Sequence, residues 1–344
     1  MQLLSKLGVD PSKIVQLFTV KLIRNFKISQ LEGFQEPEKL TINSNIVIDS
    51  TLGDFCPKLK TIVVRTNSTE FNLAGLENLE VLNLNTGKKV FPILGECKSL
   101  RTLTAYASDE TEEHAENSSE LLPGLPNIES LVIHRFSFPK ITGETFSQNQ
   151  KLILTGNGIE EISQDAFVHL KVLKILYLHA NKIMTLSNSC LPESIVNLQV
   201  SNNLISHFEI TKKLPNLSEL NLMSNKLTDS FAFESLTEHY PALEYLGLRN
   251  NEMETLSFGN LKLLRILTLN ENKIKTVKVE NFVEGKEQVV IDLKENPIIC
   301  DCDLKPFLRI LQDTNTKISL MWEVPCNNYK EQSLMDINLE DIKC

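Results

Sequence analysis

Four of the seven cysteines stand near the end of the sequence, where their side chains could form disulfides or bind zinc. Cys300 and Cys302 are separated by one residue, Cys326 follows after 23 further residues, and Cys344 follows after another 17. A structural zinc site usually takes its ligands from two close pairs, and this spacing has only one. The spacing therefore favours two disulfides, which need an oxidising compartment outside the cytosol. Spacing alone leaves the three possible pairings of four cysteines open.

The remaining side chains form no recognisable catalytic pattern. The sequence has no G-x-S-x-G elbow, no H-E-x-x-H pair and no phosphate-binding glycine loop, and its six histidines are scattered. Asp301 and Asp303 flank Cys302, an arrangement that fits a solvated turn better than a metal site. We therefore expect a binding protein and no enzyme, with no catalytic residue, metal or cofactor.

A repeated leucine pattern accounts for most of the chain. The template L-x-x-L-x-L-x-x-N recurs in about twelve copies, most of them about 20 to 24 residues long, which is typical of leucine-rich repeats. The clearest copies end at Asn181, Asn203, Asn225, Asn251 and Asn272, and weaker copies end at Asn45, Asn67, Asn157 and Asn296.

The spacing inside the template predicts a short strand in each repeat. Leucines two positions apart lie on one face of a strand, and parallel strands of neighbouring repeats would bury them as a continuous stack. The asparagine ends the strand, where its amide can satisfy buried backbone groups; we call this series the asparagine ladder. Gly87, Ser108 and Phe136 interrupt the ladder. Serine could replace asparagine in part, whereas phenylalanine could not, so we expect an irregular turn at Phe136 and a cost in stability along this stretch.

Phenylalanines recur in the return half of the repeats and predict a second buried stack rather than an aromatic ligand site. They are Phe71, Phe146, Phe167, Phe233 and Phe282.

The other three cysteines belong to the repeats. Cys56 and Cys97 occupy an apolar template position in repeats that are separated by a third repeat. Strands about 4.8 Å apart would place their Cα atoms about 10 Å apart, too far for a disulfide. We therefore expect buried free thiols at both positions, whereas the sequence assigns no role to Cys190.

Residues between the template leucines project from the exposed face of the predicted sheet, where a ligand could bind. Tyrosine and arginine are favoured at binding hot spots because they combine a large contact area with a polar end. Ordinary surface variety is the alternative explanation. The candidate ligand-binding residues are Tyr106, His134, Arg135, Tyr177 and His179.

Three N-x-S/T sequences are candidate glycosylation sites. Asn117 follows the acidic insertion 109–113, which lengthens one repeat and should be an exposed loop. Asn216 lies just before a predicted strand. Asn67 occupies a ladder position, where an inward amide would exclude a glycan.

Composition and charge exclude several other classes of protein. The net charge of −9 argues against nucleic acid or an anionic membrane as the main partner. No run approaches the roughly 18 apolar residues needed to cross a bilayer. Residues 1–10 lack the order of a secretory signal, so secretion would require a signal that has been removed.

The C-terminal motif resembles the cap of animal leucine-rich-repeat proteins. The sequence Asn296-Pro297-Ile298-Ile299 precedes Cys300 and completes an N-P-x-x-C-x-C motif, and the resemblance covers residues 296–344. It implies the bonds Cys300–Cys326 and Cys302–Cys344, with a helix over residues 304–313 covering the last leucines.

The N-terminal segment LLSKLGVDP at residues 3–11, followed by IVQLF at 14–18, is similar to the start of the insect Toll receptor ectodomain. This resemblance implies the extracellular side of a plasma-membrane receptor for a Spätzle-like cystine-knot cytokine, in immunity or development, whose binding could pair two receptors. The cysteine-bearing N-terminal cap, membrane span and signalling domain of Toll are absent, so the sequence would be a truncated or shortened relative. The alternative is a secreted leucine-rich-repeat binding protein or decoy without signalling.

The sequence therefore predicts an α/β solenoid: a leucine-rich-repeat horseshoe with a parallel concave β-sheet and a disulfide-bonded C-terminal cap. We expect an N-terminal capping segment and first irregular repeat at 1–36, repeats at 37–296 and the cysteine-rich cap at 297–344. The ligand should bind the concave or flanking surface of the N-terminal half.

Overall fold

The computed structural model of the chain describes residues 16–21, 37–43, 50–66, 70–87, 93–94, 97–108, 127–146, 149–258, 263–279, 288–329 and 332–342. The chain divides into two compact units, Met1–Ile159 and Glu160–Cys344. Each unit is built from parallel strands of successive repeats, which confirms the predicted leucine-rich-repeat solenoid. The predicted division at residues 36 and 296 stays a prediction, because most of residues 1–36 lie outside the described ranges.

In the first unit, each described repeat contributes one strand to a parallel sheet. The strands, in sheet order, are β1 (Gln16–Lys21), β2 (Lys39–Asn43), β3 (Thr61–Thr66), β5 (Val81–Thr86), β7 (Thr102–Ala107), β8 (Ser130–His134) and β10 (Lys151–Ile153). The return segments include helix α1 (Thr51–Phe55) and the short strands β4 (Glu70–Phe71), β6 (Ile93–Leu94) and β9 (Lys140–Ile141). Alternate residues of β3 are buried, as the leucine spacing predicts: Ile62 and Val64 face the core.

In the second unit, the sheet strands are shorter and most have three residues. They are β12 (Ile175–Tyr177), β14 (Asn197–Gln199), β16 (Glu219–Asn221), β17 (Tyr245–Gly247), β19 (Ile266–Thr268), β21 (Val289–Asp292) and β22 (Ile318–Leu320). Leu176, Leu198 and Leu220 lie opposite one another in consecutive strands and are fully buried.

The return segments of the second unit form short elements of their own. They are β11 (Glu161–Ile162), β13 (Thr185–Ser187), β15 (His207–Glu209), β18 (Thr255–Phe258), β20 (Thr276–Val279), helix α2 (Leu236–His239) and helix α3 (Lys305–Gln312). β13 pairs in parallel with β15, and β18 pairs in parallel with β20.

The asparagine ladder ends the strands of the second unit in the predicted way. Asn225 is buried, and its Nδ2 donates hydrogen bonds to the carbonyls of Val200 at 3.1 Å and Leu222 at 2.9 Å. Its Oδ1 accepts from the N–H of Ile205, two residues beyond the preceding ladder position, at 3.0 Å. The amide thus joins two repeats and leaves none of these buried backbone groups without a partner.

A left-handed residue stands directly before the ladder position in eight turns. Positive φ angles reverse the chain sharply, and only one of these residues is a glycine, for which that conformation carries no steric cost. The residues and their φ angles are Arg135 (64°), Gly156 (67°), Ala180 (56°), Asn202 (54°), Ser224 (53°), Asn250 (53°), Glu271 (57°) and Glu295 (59°).

At Phe136, where an irregular turn was expected, the backbone keeps the left-handed conformation but the hydrogen bonding differs from that of the other turns. Arg135 takes the same left-handed conformation as its counterparts, and the Phe136 ring is buried where an asparagine would stand. The N–H of Phe136 donates to Oδ1 of Asn157, the ladder asparagine of the next repeat, at 2.9 Å. Asn157 therefore accepts from the ladder position itself, whereas Asn225 accepts from the residue two positions beyond the preceding ladder position.

The interruptions at Gly87 and Ser108 are compensated by longer strands. β3, β5 and β7 have six residues each, and their last residues Thr66, Thr86 and Ala107 are buried. The N–H of Gly87 donates to the Thr66 carbonyl at 3.2 Å, and the N–H of Ser108 donates to the Thr86 carbonyl at 2.8 Å. Strand pairing thus gives the N–H of each interrupting residue an acceptor, and the expected cost in stability along this stretch stays a prediction.

The phenylalanines of the return segments lie in the core. Phe71, Phe146, Phe167 and Phe233 are buried, whereas Phe282 lies outside the described residues. Phe231, which the repeat pattern did not identify, also packs in the second unit. Its ring centroid lies 5.1 Å from that of Phe233 and 6.3 Å from that of Phe208.

Candidate functional site

Tyr106 and His134 form a stacked pair on the exposed face of the first unit. Tyr106 in β7 lies opposite His134 in β8, and their ring centroids are 4.7 Å apart with an interplanar angle of 7°. The pair arises because Leu103, Ala105 and Ala107 face the core, so Tyr106 faces the other side. Tyr106 is 44% exposed although it is a large ring. The structure therefore presents a preassembled aromatic surface.

Arg65 and Asn85 continue this row across the sheet. Arg65 in β3 lies opposite Asn85 in β5, which in turn lies opposite Tyr106. Both side chains are exposed, and Arg135 is exposed directly after His134. We call Arg65, Asn85, Tyr106, His134 and Arg135 the aromatic-basic row. Sequence reasoning missed Arg65 and Asn85, although both precede the ladder position of their repeats by two residues, as Tyr106 does.

Tyr177 and His179 lie close together in the second unit. Their ring centroids are 6.2 Å apart and the rings are tilted by 54°, and both side chains are half-buried. Burial lowers the pKa of His179, which favours the neutral imidazole near neutral pH. The five candidate residues therefore form two pairs, one in each unit, with Arg135 beside the first.

The C-terminal cap contains the implied disulfide between Cys300 and Cys326, whose Cα atoms are 5.6 Å apart. Cys302 is also disulfide-bonded, whereas Cys344, its implied partner, lies outside the described residues. Helix α3 lies within the predicted range 304–313 and buries Phe307, Leu308 and Leu311.

Cys56, Cys97 and Cys190 are free and buried. The first two fill the apolar position that their repeats predict. Burial raises the pKa of the Cys56 thiol to about 11 and that of the Cys190 thiol to about 12. Cys190, unassigned by the sequence, is thus a core residue that ends a short 3₁₀ turn, Asn188–Cys190.

Of the three candidate glycosylation sites, only Asn216 lies within the described residues. Its side chain is exposed, and its Nδ2 donates to the Glu193 carbonyl at 2.9 Å. Asn67 and Asn117 lie outside the described residues, as does the acidic insertion 109–113. Within the described ranges, no helix is long and apolar enough to cross a membrane.

Parallel strands, buried template leucines and the asparagine ladder define a leucine-rich-repeat protein. The family model for the leucine rich repeat matches residues 148–205. Lumican of Bos taurus is 34% identical over 178 residues, which cover 50% of this chain and 52% of that protein. Lumican of Oryctolagus cuniculus is 36% identical over 138 residues, which cover 39% of this chain and 69% of that sequence. The chain therefore belongs to the leucine-rich repeat family, and it spans about half the length of bovine lumican.

Among solved structures, a chain of the Drosophila Toll–Spatzle complex has a similar fold. The superposition has a TM-score of 0.53 at 14% sequence identity, and it covers 94% of this chain and 57% of that chain. At this identity the likeness concerns the fold alone.

Proposed function

We propose that this chain is the extracellular ligand-binding part of a Toll-type receptor that recognises a Spätzle-like cystine-knot cytokine through the aromatic-basic row. The observation that carries the proposal is the stacked pair of Tyr106 and His134 on the exposed sheet face. Two rings already held together lose little conformational freedom when a ligand covers them, so more of the contact energy remains for binding.

The charges of the row suggest what kind of surface it recognises. Arg65 and Arg135 are both exposed in a chain whose net charge is −9, so the row is more basic than the protein as a whole. An acidic patch that contains an apolar group would complement two guanidinium groups and an aromatic pair. A protein ligand can supply both features on one surface.

The Toll-type assignment is supported by three separate observations. The fold resembles a chain of the Toll–Spatzle complex over 94% of this sequence. The N-terminal segment at residues 3–18 is similar to the start of the Toll ectodomain. The Cys300–Cys326 bond suits an oxidising compartment, and hence the extracellular side of the plasma membrane or secretion.

A secreted leucine-rich-repeat binding protein or decoy is the second candidate. It is favoured by the 34% identity to bovine lumican, which exceeds the 14% identity to the Toll–Spatzle chain. A transcript that continues into a membrane span and a signalling domain would support the receptor. A stop codon directly after Cys344 in every transcript would support the secreted protein.

The binding test uses surface plasmon resonance with the immobilised chain and a recombinant Spätzle-like cytokine. We expect Tyr106→Ala and Arg135→Glu each to weaken binding about tenfold or more, which is typical of hot-spot residues. Tyr245→Ala, in the second unit, is the control and should bind like the wild type. If the first two variants bind normally while the control fails, the ligand site lies in residues 160–344. Absence of wild-type binding would contradict the cytokine assignment.

Glycosylation of Asn216 belongs to the same proposal, since an exposed sequon on a secreted chain can accept a glycan. Peptide mapping of protein from insect cells, before and after deglycosylation, should show a modified Asn216. The same map tests Asn67 and Asn117.

A further inference from the structure

The last strand of the second unit leaves one edge of its sheet open. β22 is the final strand in the sheet order, and on its inner side it pairs in parallel with β21. The N–H of Met321 donates to the Ile291 carbonyl, and the Lys317 carbonyl accepts from Val289, both at 2.8 Å. Because strand residues alternate, the N–H and the carbonyl of Leu320 point away from β21. Among the described residues these outward groups have no hydrogen-bond partner.

A groove of about 800 Å³ runs along this open edge. Its walls come from β22 and the residues after it, from Leu311 of helix α3 and from Met335. Three large apolar side chains on its rim are unusually open to solvent: Met321 is 39% exposed, Trp322 is 57% exposed and Met335 is 46% exposed. Trp322 is the single tryptophan of the sequence. Soluble proteins normally cover or charge a strand edge of this kind, and apolar patches beside one mark interaction sites.

One carboxylate lines the groove and a second lies in a hollow beside it. Glu323 lines both the groove and a neighbouring hollow of about 480 Å³, which Asp336 also lines. Within the described ranges neither side chain belongs to an ion pair, although eight ion pairs occur elsewhere in those ranges. Lys294 also lines the groove, with its Nζ 6.0 Å from the centroid of the Trp322 ring, so a cationic group on a ligand is favoured beside Glu323 and Asp336 and disfavoured beside Trp322.

The length of the open edge is limited by the chain itself. Beyond Glu323, the N–H of Leu334 donates to the Val324 carbonyl, and the N–H of Cys326 donates to the Gln332 carbonyl. These bonds cover the backbone from Val324 onward, and the N–H of Ile318 donates to Oγ1 of Thr316 at 3.1 Å, so the open part lies within residues 319–323. A strand of about five residues fits that length.

We propose that the open edge of β22 binds an extended segment of a partner protein, which adds a strand to the sheet. One of its apolar side chains would contact Met321, Trp322 and Met335, and a nearby lysine or arginine would lie between Glu323 and Asp336. Strand addition of this kind takes affinity from main-chain hydrogen bonds and specificity from alternate side chains. None of these residues belongs to the aromatic-basic row, so the proposal does not depend on the cytokine assignment.

The test uses the intrinsic fluorescence of Trp322, which is the only tryptophan signal of the chain. The probe is a capped peptide of about six alternating threonine and isoleucine residues followed by a pair of lysines. Its binding should shift the emission of Trp322 to shorter wavelength, because the peptide removes the ring from water. A probe with N-methylated amides on alternate residues cannot donate to the strand edge, and it should bind at least about tenfold more weakly.

Charge reversal tests the acidic end of the groove. Glu323→Lys combined with Asp336→Lys should lower the affinity for the lysine probe at least about fivefold. The same double variant should raise the affinity for a probe in which glutamates replace the lysines. Glu209→Lys combined with Glu234→Lys changes two exposed carboxylates elsewhere in the same unit and should leave both affinities unchanged.

Three results would overturn the proposal: no emission shift with the lysine probe, equal binding of the N-methylated probe, or an affinity unaffected by reversal at Glu323 and Asp336. An emission shift that rises with protein concentration alone, together with a dimer in sedimentation velocity, would assign the edge to a second copy of the chain and would also overturn it.

Discussion

Asn188 and Tyr240 are 52 residues apart, and the Nδ2 of Asn188 donates a hydrogen bond of 3.0 Å to the Tyr240 hydroxyl. The same Nδ2 donates to the Lys212 carbonyl at 2.6 Å, while Oδ1 accepts from the N–H groups of Thr211 and Lys212, both at 2.9 Å. Asn188 is fully buried. One side chain therefore connects three successive repeats through the core, in addition to the asparagine ladder.

Replacing Tyr240 with phenylalanine should remove this bond while keeping the ring in place. We expect Tyr240→Phe to lower the free energy of unfolding by about 1 kcal/mol, because a buried donor loses its acceptor. Chemical denaturation measures the change. Tyr245→Phe is the control, since within the described residues the Tyr245 hydroxyl makes only a weak hydrogen bond, to the Met223 sulfur at 3.9 Å. Equal stability of Tyr240→Phe and the wild type would contradict the role of the bond.

Asn225→Leu tests the asparagine ladder. Leucine has a similar size, but it leaves the N–H of Ile205 without its acceptor. It also removes one of the two ladder amides that donate to each of the Val200 and Leu222 carbonyls. We expect a loss of roughly 1–3 kcal/mol in the free energy of unfolding. Asn270→Leu is a matched control, because the Asn270 side chain makes no hydrogen bond within the described ranges. Equal losses for both variants would mean that the ladder amide contributes nothing specific.

Cys302→Ser tests the second bridge of the cap. Leu293, the last template leucine, is fully buried and depends on the cap for its cover. We expect a lower melting temperature under non-reducing conditions and more aggregation. For comparison, Cys326→Ser opens a loop with a sequence separation of 26, which should cost about 3 kcal/mol. Unchanged melting of Cys302→Ser would contradict the predicted pairing with Cys344.

The free thiols should be inert in the folded protein. Burial raises the pKa of Cys56 to about 11 and of Cys190 to about 12, so both remain protonated at about pH 8, and the thiolate is the reactive form. A disulfide reagent should therefore label neither cysteine before unfolding. In denaturant, seven cysteines less four in two bridges leave three thiols, whereas a single bridge would leave five. The count thus checks the second bridge independently.

The leucine spacing predicted the strands, their shared buried face and the ladder because each of these depends on residues within one repeat. It could not predict that Asn157 accepts from the N–H of Phe136 itself, since this bond joins two repeats. The contact between Asn188 and Tyr240 was missed for the same reason. The positions of Tyr106 and His134 in the repeat template did predict that both face away from the core. Their stacking could not be predicted, because it depends on the register between β7 and β8.

The groove at β22 was missed because its residues follow the last repeat. A lone tryptophan in the sequence was the only signal, and nothing in the pattern indicated that Trp322 would be exposed. The cap motif predicts the positions of the cysteines, but it has no periodic pattern that would indicate which residues are exposed.

The register is the same between β12 and β14 as between β14 and β16, so whole repeats could be removed or added here without changing the strand contacts. Leu176, Leu198 and Leu220 face one another in turn, and Asn181, Asn203 and Asn225 follow at the same interval. Deleting residues 198–219 would join Asn197 to Leu220 and restore the template across the junction. Gene segments that encode whole repeats can thus be lost or duplicated in frame while the strand contacts on either side are preserved, so the spacing between distant binding surfaces can change by fixed steps.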